Sequence, residues 1–256
     1  EMGMYVKEQL NSSDFSMFMY YVIVSSSVIG PNAEFSHAYP GNIVLDVEAI
    51  HAATKGFSSW MSGGTNDNVL LELLFCRTNA EIEQLKACWM DRYKYSLEEE
   101  ILKEIGNNNY NALFQGCLLG QRDESGRTDT QVANQICEGI AAQGLDGIWR
   151  AGHEDSVCKL FIDTLALGSP AQLAHLVEIY KMKNETGGAS LLDVVRSTFA
   201  DDKKLSQAIT GKFLSRDAYL ARLLNQSMDG MVTDKTSLVR ILATASKDEI
   251  ASIAGA

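Results

Sequence analysis

At 256 residues the chain is long enough to bury a sizeable core, as one large domain or as several small modules. Its net charge of −11 argues against unaided binding to nucleic acid or to an anionic membrane, although a divalent cation can bridge two negatively charged surfaces. A composition of 46% hydrophobic and 21% charged residues is ordinary for a soluble globular protein, and with only 3 prolines it favours helices over an all-β fold with frequent turns.

The first apolar run, residues 17–24, falls far short of the roughly 20 residues a membrane-spanning helix needs and reads as a buried helix. Residues 25–45 hold Gly30, Pro31, Pro40 and Gly41 and read as a linker, long for a connection inside a compact domain. Residues 46–55 are amphipathic, with Val47, Ile50, His51 and Thr54 along one side, Asp46 as N-cap and Gly56 just past the C-terminus. His51 is a packing residue on this pattern rather than a ligand. A second helix starts after Thr65 and puts Val69, Leu70, Leu73 and Leu74 on one face. Thr78 and Glu81 form a capping box for a third. Residues 97–105 and 110–119 supply a fourth and a fifth.

The pattern then recurs. Further boxes of the same kind stand at Ser169–Gln172, with Pro170 at the favoured first position, and at Ser246–Glu249. Each follows a pattern like that of the second helix: VLLELLF from 69, VCKLFI from 157, LVRILA from 238. A spacing of about 80–90 residues exceeds the roughly 20–50 of common solenoids and fits a multi-helix unit used three or four times.

One stretch carries chemistry. A glycine-rich turn ends at Thr65, and Glu104 lies 39 residues further on, just before a second polar turn. Hard calcium takes about six to eight oxygens, drawn from backbone carbonyls, a bidentate carboxylate and water. A tight glycine turn can aim several carbonyls at one point, and Glu104 closes the site from the second loop. Gly64-Thr65-Asn66-Asp67, then LLELLFCRTNAEI, then LGQRDE at residues 119–124, resemble an annexin repeat, whose pattern is M-K-G-x-G-T, 38 intervening residues, then Asp or Glu. This chain departs from the pattern in one place: Ala53-Thr54-Lys55-Gly56 is followed by an insertion, residues 57–61, before Gly63-Gly64.

The resemblance implies an all-α fold of five-helix annexin-like repeats in a curved array, with calcium loops on one convex face. The units would be residues 1–28 as the end of a first repeat, 29–45 as linker, 46–124 as the second repeat, 128–214 as the third and 217–256 as the start of a fourth. Glu8 and Asp14 read first as capping or solvated residues, with the first unit's acidic ligand as the alternative role for one of them. For the second repeat the resemblance implies Ca2+ held by the backbone carbonyls of Trp60, Ser62 and Gly64 and bidentately by Glu104. An alternative register uses carbonyls near Thr54, Gly56 and Ser58. In the third repeat only Gly152 survives of the turn, His153 replaces the threonine and the acidic register falls at Ser197, with Asp201 and Asp202 nearby, so an ordinary capped loop is expected. His153 and Cys158 lack the spacing of a zinc pair. In the fourth, Met228, Gly230 and Val232 offer carbonyls for a possible second site. Its carboxylate, about 39 residues beyond Thr233, would lie past residue 256, so the chain is expected to stop inside the third helix of that unit.

The function implied is calcium-dependent binding to anionic phospholipid membranes, with Trp60 and Phe57 as membrane contacts and no nucleic-acid partner. The rival is a helical interaction or cytoskeleton–membrane scaffold that has lost most calcium sites. No phosphate loop, nucleophile elbow or metal-hydrolase motif suggests an enzyme. The five cysteines are odd in number and form no CxxC, as reduced core thiols of a cytosolic protein would be. The expected location is cytoplasmic, peripheral on the inner face of membranes when calcium rises.

Overall fold

Capping side chains set where most of the helices begin. The computed structural model describes residues 12–29, 31, 33–55, 67–105, 108–184, 188–228 and 235–255. Its helices are α1 (Ser12–Ser25), α2 (Gly41–Thr54), α3 (Asp67–Cys76), α4 (Asn79–Tyr93), α5 (Leu97–Ile105), α6 (Asn109–Leu118), α7 (Thr130–Ala151), α8 (Ser156–Leu167), α9 (Pro170–Lys183), α10 (Leu191–Thr198), α11 (Lys203–Lys212), α12 (Arg216–Met228), α13 (Lys235–Thr244) and α14 (Lys247–Gly255). The fold is all-α, built of annexin-like helical repeats. None of the described helices is long and apolar enough to cross a membrane.

At α4 the capping box is complete: the Glu81 amide donates to Thr78 Oγ1 (3.3 Å) and the Thr78 amide to the Glu81 carboxylate (2.9 Å). Ser246 and Glu249 repeat it at α14, at 3.2 and 2.8 Å. Ser96 and Glu99 form a further box at α5. At α9 the motif is used differently. Ser169 Oγ accepts from the Gln172 amide, but the Gln172 side chain turns to the backbone of Asp129, which caps α7. Four-residue spacing thus marks the helix start correctly while one side chain is diverted to an interhelical tie.

The segment expected to be a linker up to Leu45 is shorter. Strands β1 (Val28–Ile29) and β2 (Tyr39–Pro40) pair antiparallel, and α2 begins immediately at Gly41 rather than at Asp46. Gly41 is required there, because a Cβ would stand 1.5 Å from the Val24 carbonyl oxygen. Ile43, Val44 and Leu45 then continue the buried face of α2. Asp46 is therefore no N-cap. It lies inside the helix, 1% exposed, and both carboxylate oxygens meet Arg77, at 2.6 and 2.9 Å.

One continuous core runs through the described helices, with Trp89, Phe114 and Phe161 among its largest fully buried side chains. Helix α2 packs on α3 and α4, α6 on α5 and α8, and α7 on α8 and α9. Helix α7 changes direction at Gly144 (φ 71°). Helix α3 is the hub, touching α2, α6, α11 and α12, while α1 lies along α13. The buried Arg240 of α13 forks onto Glu72 of α3, Nη2 to Oε2 at 2.5 Å and Nε to Oε1 at 3.2 Å. Burial works against the Arg240 charge, and the Glu72 carboxylate outweighs that and raises the guanidinium's pKa.

Breaking this pair from one side should be expensive. Arg240→Met leaves Glu72 buried and unpaired and should cost about 3–5 kcal/mol in denaturant unfolding. Adding Glu72→Leu should restore most of that stability. If the two losses simply add, the pair does not lock α3 to α13.

Candidate metal centre

Helix α2 ends at Lys55, whose amide donates to the His51 carbonyl at 3.0 Å, and the glycine-rich connection follows. Lys55 reaches back to α5: its Nζ lies 2.8 Å from Oε1 of Glu100, a carboxylate only 3% exposed. Burial tends to raise the pKa of Glu100, and hydrogen bonds from Lys55, Tyr95 and Thr54 more than offset that, holding it below its ordinary value. The end of α2 and the middle of α5 are thereby clamped together. Position 104 is one helical turn beyond position 100, on the same helix face and about 6 Å further along the axis. Helix α5, which carries Glu104, is thus the helix tied to the end of α2.

Residues 56–66 lie outside the described residues. Phe57, Trp60, Ser62 and Gly64 fall there, as do Gly56 and Ser58 of the alternative register. Thr54 is described; it is buried, and its hydroxyl donates to the His51 carbonyl. His51 itself is a packing residue, its ring stacked on Tyr93 with centroids 4.5 Å apart. Burial, and then the Lys55 charge, lower its pKa. Among the described residues no three His, Cys, Asp or Glu side chains converge as a metal cluster.

The corresponding turn after α7 is fully described and differs. The Trp149 carbonyl accepts from Asn109 Nδ2 at 2.5 Å and from the Gly152 amide at 3.3 Å, and the Gly152 carbonyl accepts from Asp155 N–H at 2.9 Å. Gly152 adopts φ 84°, which closes the turn, and Asp155 caps α8. Two carbonyls that calcium would need are already taken. At the acidic register, Ser197 binds the Val194 carbonyl, and the carboxylate of Asp202 caps α11. Trp149 against Phe199 brings this loop beside the turn, with ring centroids 5.5 Å apart, and of the two nearby carboxylates Asp202 serves as a cap while Asp201 is exposed. The His153 ring meets Glu154, while Cys158 is fully buried, its thiol pushed up to about 11 by burial. They do not make a zinc pair. In the last unit Met228 ends α12 with its side chain exposed, and Gly230 and Val232 lie outside the described residues.

Sequence reasoning missed the cluster around Asp91. This α4 carboxylate accepts from Ser36 Oγ at 2.5 Å and Tyr39 Oη at 2.8 Å, and meets His37 Nδ1 at 3.1 Å, latching the segment before α2 onto α4. Those bonds, Ser36 first, hold Asp91 well below the usual carboxylate range. Serine, histidine and aspartate coincide here, yet His37 uses the same nitrogen toward Ser36 and Asp91. A proton relay needs one ring nitrogen for each. No local signal betrays such a latch, because its partners are 52 to 55 residues apart.

The annexin family model matches residues 45–114. Annexin A5 of Gallus gallus is 28% identical over 211 residues, an alignment covering 82% of this chain and 61% of that protein. The solved structure of chicken annexin V superposes with a TM-score of 0.67 at 25% identity, covering 93% of this chain and 66% of that one. That of calcium-bound annexin (Sm)1 gives 0.67 at 20% identity, covering 97% and 66%. The chain thus spans about three fifths of the length of the annexin A5 it matches. Capped five-helix units, the Thr65–Glu104 spacing and these likenesses in sequence and fold converge: the chain belongs to the annexin family.

Proposed function

We propose that this protein binds anionic phospholipid membranes in a calcium-dependent way, through interhelical connections on one face of the molecule. The observation that supports the proposal is the Lys55–Glu100 contact, which ties the end of α2 to α5, the helix that bears Glu104. In this reading the carbonyls of Trp60, Ser62 and Gly64 and the Glu104 carboxylate hold Ca2+. The ion supplies positive charge between an acidic protein and an acidic surface, with coordination positions left for lipid phosphate oxygens. Metal and membrane then favour each other, each completing the other's site. A calcium-bound state is named for annexin (Sm)1, which supports calcium as the metal. The units are those expected from the sequence, with the second beginning at Gly41. The protein acts by binding and not by catalysis, peripherally and on the cytoplasmic side.

A second reading, an interaction scaffold that has lost most of its calcium sites, draws on the turn after α7, whose carbonyls are consumed internally. Titrating calcium in the presence of phosphatidylserine vesicles separates the two: co-sedimentation that appears only with calcium supports the first, and none at any calcium level supports the second.

Three outcomes follow for named residues. Glu104→Gln keeps the shape but removes the charge, and should weaken calcium and vesicle binding by about tenfold or more, while changing calcium-free stability by less than about 0.5 kcal/mol. Unaltered binding would show that Glu104 is not the ligand. The turn at Gly152 should stay empty at calcium levels that fill the first site; an ion found at Gly152 and none near Gly64 in a calcium-soaked crystal would reverse the ranking. With Trp89 and Trp149 replaced by phenylalanine, Trp60 emission should shift to the blue only when calcium and vesicles are both present, because indole favours the headgroup region. An unmoved spectrum on membrane-bound protein assigns Trp60 to packing.

A further inference from the structure

Away from the calcium turns, three helix–helix joints meet around one cavity: α3 to α4, α8 to α9 and α11 to α12. The cavity measures about 380 Å³, within the roughly 300–1,000 Å³ of small-molecule sites. Each joint brings one helix C-terminus and one N-terminus to it, so the helix dipoles largely cancel and the side chains decide its polarity. Phe75, Leu214 and Tyr219 give it apolar walls.

Four cations line the cavity: Arg77, Arg122, Lys212 and Arg216. Two are neutralised elsewhere, Arg77 by Asp46 and Arg216 by Glu249 at 2.6 Å. Arg122 donates to the carbonyls of Phe75 and Leu74, closing the end of α3. Lys212 is different. The residue is 7% exposed, and its Nζ lies 4.7 Å from the centre of the Phe75 ring and 4.0 Å from Cys117 Sγ, with no carboxylate within ion-pair distance among the described residues. The acidic residues of the cavity are engaged with backbone, Asp123 with the Ser125 amide and Glu124 with the Asn79 amide. A buried ammonium that meets only an aromatic face and a thiol is undercompensated, since buried charges are normally paired. Burial lowers its pKa and the Arg122 charge adds to that, a penalty an incoming anion would relieve.

We propose that this interhelical cavity binds a small organic monocarboxylate, its carboxylate on Lys212 and its apolar body against the wall formed by Phe75, Tyr219 and Leu214. The Lys212 ammonium, beside an Arg122 guanidinium that meets only neutral carbonyls, favours an anion, and the aromatic walls select a flat or short apolar body over a bare ion. The site is independent of calcium and membrane.

Benzoate is the probe, titrated calorimetrically into the full chain with a calcium chelator and without vesicles. It should bind with a millimolar or tighter dissociation constant. Lys212→Met should weaken binding at least tenfold without lowering the melting temperature of the unliganded protein, because it removes a buried unpaired charge. Lys159→Met, at an exposed i,i+4 pair with Asp163, should bind like the parent. In the unaltered protein, benzoate should also shift the side-chain ammonium resonance of Lys212, which keeps the test valid if the methionine variant misfolds. An unmoved resonance, or equal binding by parent and Lys212→Met, overturns the site. Inorganic phosphate binding as tightly as benzoate overturns the monocarboxylate assignment.

Discussion

A charge taken out of water must be met where it lies, and two arginines meet this demand on either side of α3. Arg77, just past its end, forks onto Asp46 in α2, and Glu72, within it, receives Arg240 from α13. Both carboxylates are almost wholly buried, so neither helix can slide along α3 without stranding a charge. Geometry follows from this at some distance. Fixing α3 against α2 fixes where the chain re-enters a helix after the glycine-rich connection. The Lys55–Glu100 contact fixes where it left. Both helices that flank the candidate calcium turn, α2 and α3, are thus held by ion pairs.

Much of this architecture is legible in the sequence because capping and helical periodicity are local. Thr78 with Glu81 and Ser246 with Glu249 mark helix starts whose hydrogen bonds close within four residues, and the structure has both. Asp46 shows where local reasoning fails. An acidic residue ahead of an apolar stripe looks like an N-cap, but its partner Arg77 lies 31 positions away, and the real start is set by Gly41 pressed against Val24. Gln172 fails likewise: its spacing from Ser169 predicts a return to the cap, and its side chain instead holds Asp129, 43 residues upstream. The Asp91 latch and the Lys212 cavity were invisible for the same reason, since both join segments remote in sequence.

The candidate site was legible as a spacing and not as a geometry. Thr65 and Glu104 are 39 positions apart, and only the fold shows that α5 is tied to the end of α2, through Lys55 and Glu100. The turn after α7 makes the complementary point. Its degraded glycine pattern leads to an expectation of weak binding, and the structure shows Asn109 and the turn's own amides bonded to the Trp149 and Gly152 carbonyls.

On the proposed function, electrostatics explain why an ion is needed at all. Arg77 and Arg240 are spent inside the protein on Asp46 and Glu72, pairs that contribute no net charge, while Lys212 keeps its ammonium in the interior without a carboxylate. The overall charge of −11 therefore resides largely on the solvent-facing surface. An anionic bilayer repels such a surface before any contact forms, and ordinary salt only shortens the range of that repulsion to about 8 Å. Screening cannot turn repulsion into attachment. A divalent ion can, because it reverses the sign locally at a point where protein oxygens and phosphate oxygens both fall short of a full coordination shell.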